Sequence, residues 1–105
     1  MKLTLSELET VVALLLRHAS SRGLVEVDSS RYDQYWKVPS EDWLNFAKEP
    51  NLGVGSFSDD ISELRKLVAE PSRASVVDVE RLAAVFSLVS QALQDSPEYS
   101  LERGQ

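Results

Sequence analysis

Two long apolar stripes of helical spacing bracket a middle segment whose spacing is that of strands. That contrast limits the folds open to this chain. Leu8, Val11, Val12, Leu15 and Leu16 recur on one face near the N-terminus, and Leu82, Val85, Phe86, Val89 and Leu93 do so near the other end. Between them, Tyr32 to Val38 alternates aromatic or β-branched residues with polar ones, and Pro39 ends any ladder there because it has no N–H. Helices flanking short strands point to an α+β class: a long N-terminal helix, a small antiparallel sheet of two or three strands, and helices packed on one face.

The first helix is expected from about Ser6 to Ser21, with Ser6 and Glu9 as a capping box. Gly23 supplies a left-handed stop, and Arg17, His18 and Arg22 lie near the negative end of the dipole. Leu24–Asp28 and Tyr32–Val38 read as the two arms of a hairpin across Asp28–Arg31. In the second arm Tyr32, Gln34, Trp36 and Val38 share one face, and Asp33, Tyr35 and Lys37 the other. Ser40 then caps a short helix, from Glu41 to about Lys48, that turns Trp43, Phe46 and Ala47 inward.

Gly53-Val54-Gly55 lies in a loop, with a strand fragment as the alternative. Its glycines are read as supplying positive φ for a tight turn into the next helix. Ser56 or Ser58 caps that helix, and Pro71 stops it. The last helix has two readings. Either Ser75 caps it with Asp78 completing the box, or Ala74–Val77 form a third strand and Asp78 is the cap. The β-branched pair Val76 and Val77 favours the second. Residues 1–95 are expected to form one globular domain, and 96–105 a flexible tail.

Chemistry leaves few marks on this sequence. It has no cysteine, which removes disulfides, a thiol nucleophile and cysteine-held metals, and which fits a reducing compartment. Met1 to Glu7 has no apolar stretch resembling a signal peptide, and the run Val11–Leu16 is far too short to span a membrane, so a cytoplasmic protein is expected. His18 is the single histidine and sits where a helix end favours a cation, so it is not read as a base or metal ligand. Asp59, Asp60 and Glu63 cluster, but acids in the first turn of a helix complement its dipole, and their spacing fails the calcium-loop pattern. Gly53-x-Gly55 lacks the third glycine of a dinucleotide fingerprint. No cofactor, metal or catalytic residue is expected.

Charge and aromaticity coincide in the middle. The net charge is −6, of which residues 32–70 carry −4, together with Tyr32, Tyr35, Trp36, Trp43, Phe46 and Phe57. Such a field repels phosphate backbones and attracts a basic protein, so nucleic acid is disfavoured as a partner. Trp36 and Trp43 are read as core residues joining the hairpin to the short helix. Tyr35, on the opposite face, is read as a contact anchor, with Asp33, Glu41, Asp42, Asp59 and Asp60 as the acidic surface around it. The expected role is a small non-enzymatic interaction protein, inhibitory or immunity-like, docking a basic protein. A homodimeric structural protein is one alternative, and a carboxylate-based ligand-binding or hydrolytic domain another.

The segments Gln34-Tyr35-Trp36, Gly55-Ser56-Phe57-Ser58-Asp59-Asp60 and Asp78–Val85 resemble those of small bacterial proteins with a Tyr-Tyr-Trp-like strand and a Gly-Ser-x-x-Asp-Asp helix start. The resemblance covers about the central half of the chain. It implies a bacterial source and a compact α+β domain, and carries no activity.

Overall fold

A computed structural model describes residues 1–95. The expected tail at 96–105 lies outside the described residues. Among the described residues, three α-helices and one two-stranded antiparallel sheet make this an α+β protein: α1 (Leu5–Ser21), β1 (Gln34–Lys37), β2 (Gly53–Ser56), α2 (Phe57–Ala69) and α3 (Val76–Gln94). The described residues divide into two compact units, one of residues 1–27 with 89–95, the other of residues 28–88.

In the first unit, α1 starts two residues earlier than a Ser6 cap would set it. Thr4 is the cap: its hydroxyl accepts from the Glu7 N–H at 3.0 Å, and the Glu7 carboxylate accepts from the Thr4 N–H at 3.1 Å. Both Thr4-x-x-Glu7 and Ser6-x-x-Glu9 satisfy the box pattern, and the earlier one adds a helical hydrogen bond, from the Leu8 N–H to the Thr4 carbonyl at 3.0 Å. Gly23, at φ 90°, provides the left-handed stop as expected, and the Leu24 N–H closes back on the Ala19 carbonyl at 3.1 Å. Ala19 is the buried apolar residue of α1.

The second unit holds the sheet. β1 pairs with β2, not with Leu24–Asp28, in the register Gln34–Ser56, Tyr35–Gly55, Trp36–Val54 and Lys37–Gly53. Leu24–Asp28 forms no strand. The Asp28 carboxylate instead accepts from the Ser30 N–H at 2.9 Å, a local turn that competes with ladder formation. The β1–β2 ladder gains a further bond where the chain enters α2, from the Phe57 N–H to the Asp33 carbonyl at 2.7 Å.

Gly53 and Gly55 are therefore strand residues, not turn residues. Gly23 is the one glycine with positive φ among the described residues. Ser56 caps α2, its hydroxyl accepting from the Asp59 N–H at 3.3 Å. The helix expected at Glu41–Lys48 shrinks to a 3-10 turn, Ser40–Asp42. Past it, the Asn45 side chain accepts from the Ala47 N–H, a bond that favours turns over helix. Trp43 and Phe46 consequently face outward, not into a core.

No third strand precedes α3. Ser75 initiates the helix: its N–H and hydroxyl both donate to the Asp78 carboxylate, at 3.0 and 3.1 Å. Those bonds outweigh the β preference of Val76 and Val77, which begin the helix instead. The apolar centre of this unit is small, with Phe57 and Leu88 as its buried hydrophobic residues. The most buried polar residues are three aspartates, Asp42, Asp60 and Asp78.

Candidate functional site

Tyr35 and Asp60 form the hinge of polar structure in the 28–88 unit. The Tyr35 hydroxyl donates to Asp60 Oδ2 at 2.6 Å, and its ring lies 4.6 Å from that of Phe57, tilted by 31°. Burial, with help from the Asp60 hydrogen bond and charge, pushes the Tyr35 hydroxyl well above its ordinary value. Strand alternation correctly separates Tyr35 from Trp36, but the buried and open faces are exchanged. Tyr35 is half-buried, and the Trp36 indole is 74% exposed.

The remaining acids expected to form a contact surface divide by exposure. Asp33 precedes β1, and its carboxylate accepts from the Ser58 N–H at 3.0 Å and the Ser56 hydroxyl at 3.3 Å. The Ser58 and Ser56 bonds hold its carboxyl below the ordinary value. Asp59 is exposed in the first turn of α2, where Asp60 is buried beside it. Glu41 is exposed on the 3-10 turn, and its neighbour Asp42 is 6% exposed. Asp42 pairs with Lys48 Nζ at 2.8 Å and accepts from the Asn51 N–H at 3.0 Å. The lysine and then the backbone N–H outweigh burial, so the Asp42 carboxyl is lowered and the Lys48 amine raised. The structure thus gathers Asp33, Tyr35, Asp59 and Asp60 around the junction of β1 with α2. It sets Glu41 and Asp42 on the following loop, and gives Asp33, Asp42 and Asp60 internal partners.

A feature outside the expected contact surface, one that only the ligand-binding alternative called for, lies next to this junction. A cleft of about 460 Å³ opens between the sheet, the 3-10 turn and the start of α3, lined mainly by apolar atoms. Trp36, Trp43, Val77, Glu80, Arg81 and Ala84 line it, and Tyr35 and Asp60 contribute as well. Trp43 is 64% exposed, so both indoles stand at open edges of the cleft instead of filling a core. Arg81 is steadied by Asp78, Nη1 to Oδ1 at 2.8 Å. Burial pushes the Asp78 carboxyl up, but the Arg81 and Ser75 hydrogen bonds prevail and lower it. Charges in the lining balance, with Lys37 and Arg81 against Asp60 and Glu80.

The part of the lining that α3 supplies was not assigned from sequence, though its signal was available in part. Val77, Glu80, Arg81 and Ala84 fall at helical spacing, a face that becomes legible once Ser75 is taken as the cap. Among the described residues, no three His, Asp or Glu side chains converge in a way that could hold a metal ion. No helix among them is long and apolar enough to cross a membrane. No protein-family model matches this chain, and no curated protein or solved structure shows significant similarity to it.

Proposed function

We propose that this chain is a small, acidic, non-enzymatic protein-interaction domain whose cleft receives an apolar side chain from a basic partner. The observation that carries this reading is the pair of exposed indoles, Trp36 and Trp43, flanking one open cleft with Arg81 in its wall. Trp and Arg are the residues that most often dominate binding energy, and a soluble chain that leaves two indoles open beside a cavity has a surface suited to being covered. The site thus moves from the acidic patch to the cleft, and the acids take a second role. The 28–88 unit carries eleven acids and seven bases, and Glu41 and Asp59 are exposed there, which favours encounter with positive charge. Tyr35 and Asp60, joined by their hydrogen bond, form part of the cleft wall. An inhibitory or immunity-like role in a bacterial cytoplasm is the specific form of this reading.

Titration calorimetry against a panel of basic proteins, at low and moderate salt, tests it. Binding should weaken with salt, and Trp43→Ala should reduce affinity by at least ~10-fold, the scale of an interface hot spot. Association indifferent to both salt and Trp43 would overturn the proposal.

One observation favours a second reading. A cavity of about 460 Å³ with apolar walls and a few polar groups lies in the range used by small ligands. Saturable quenching of tryptophan emission by apolar small molecules, lost in Trp36→Ala, would support that reading over a protein partner.

A further inference from the structure

We infer that the partner enters the tryptophan cleft as an extended basic segment and pairs with the open edge of β1 as a third strand. This rests on the cleft being a protein-binding site, as proposed above, and adds the form and chemistry of the occupant. The register of the sheet fixes which backbone groups are free. The Phe57 N–H bonds to the Asp33 carbonyl, so in this antiparallel ladder Tyr35–Gly55 and Lys37–Gly53 are the hydrogen-bonded pairs. Gln34 and Trp36 therefore turn their N–H and C=O groups away from β2. Among the described residues, nothing bonds those groups.

The cleft lies along that edge. Tyr35, Trp36, Lys37 and Val38 are consecutive and all four line it, whereas no residue of β2 does. Successive side chains of a strand point to opposite faces, so a cavity touched by four in a row borders the side of the strand and not one face of the sheet. This selects the β1 edge over that of β2. Every lining residue belongs to the 28–88 unit. Charge then selects a basic segment as the occupant. Asp60 in the wall already holds the Tyr35 hydroxyl, and Arg81 holds Asp78, but Glu80 has no hydrogen bond or ion pair among the described residues. Lys37 is exposed, and its long stem can keep the amine in water. The unit as a whole has eleven acids to seven bases. In an added strand, main-chain bonds to the edge supply affinity. Alternate side chains supply the apolar group for the cleft and the cations for Glu80 and the acids around it.

A capped hexapeptide of alternating lysine and valine is the probe, titrated into the full chain while hydrogen exchange at the Trp36 amide is followed by NMR. Exchange should be fast in the free protein and slow at least ~10-fold in the complex, and Trp43→Ala should weaken binding at least ~10-fold. Two N-methylated peptides, one blocked at its valine amides and one at its lysine amides, test backbone pairing. One should lose binding and the other keep it, because alternate N–H groups of a strand face opposite edges. Equal affinity of the two, or fast exchange at Trp36 within a Trp43-dependent complex, overturns strand addition and leaves a side chain in the cleft as proposed above. Protection of Trp36 in the free chain overturns it as well: protection that grows with concentration would mean a second copy on the edge, and constant protection another segment of this chain. Absence of binding by the unmethylated peptide also overturns the inference. The calorimetric panel of basic proteins then decides separately whether the cleft binds protein at all.

Discussion

Tyr35 lies directly across Gly55, its partner in the β1–β2 register, so closely that a Cβ at position 55 would come within 2.6 Å of the tyrosine hydroxyl oxygen. Glycine is required there by the aromatic ring and not by backbone conformation. Gly55→Ala must push the ring aside and with it the hydrogen bond to Asp60. Overpacking of this kind costs about 1–3 kcal/mol, to be read as a lower denaturation midpoint. Gly53→Ala, where an added Cβ would meet only the Lys37 carbonyl at 3.9 Å, is expected to cost much less.

The Tyr35–Asp60 bond should be separable from the ring's packing. Tyr35→Phe keeps the contact with Phe57 and leaves the buried Asp60 without its hydroxyl donor, at a cost of about 1–3 kcal/mol. In the folded protein the Tyr35 hydroxyl is held protonated past its ordinary value of 10.0. Its contribution is therefore full below that pH and declines as pH rises beyond it. Ultraviolet titration of the parent against Tyr35→Phe should show one phenol ionising late. Parallel titrations of the two proteins in that region would refute the assignment.

Acid should act in the opposite sense. Asp33, Asp42 and Asp78 all have carboxyls lowered from 3.8, by the Ser58 bonds, by Lys48, and by Arg81 with Ser75 against burial. Lowered carboxyls contribute stability above the unfolded value and lose it as pH falls through the folded one. Denaturation midpoints should hold steady at neutral pH and drop below pH 3.8. Asp42→Asn should make that drop shallower, and should speed amide exchange at Asn51, whose N–H it holds.

Capping of α1 discriminates between two overlapping sequence patterns. Thr4→Ala removes the acceptor for the Glu7 N–H and should cost about 1 kcal/mol, as loss of a helix cap does. Ser6→Ala should be close to neutral, since Ser6 lies within the helix. Equal effects of the two substitutions would mean that the helix start is shared between them.

The three α-helices, the left-handed stop at Gly23 and the α+β class were legible in the residues themselves, and the cap of α2 was narrowed to Ser56 or Ser58. Helical periodicity repeats within four or five neighbours, so local sequence decides it, whereas overlapping box patterns left the start of α1 open between Thr4 and Ser6. Which strand pairs with β1, which of its faces turns inward, and why position 55 must be glycine were decided by tertiary structure. Tyr35 and Asp60 are 25 residues apart, and Trp36, Trp43 and Arg81 meet only where strand, turn and helix come together. Alternation can sort Tyr35 from Trp36, but period two has no preferred sign. The sign came from Gly55 and Asp60, which gave the tyrosine ring a place to lie and its hydroxyl a partner, leaving the indole of Trp36 to the open side.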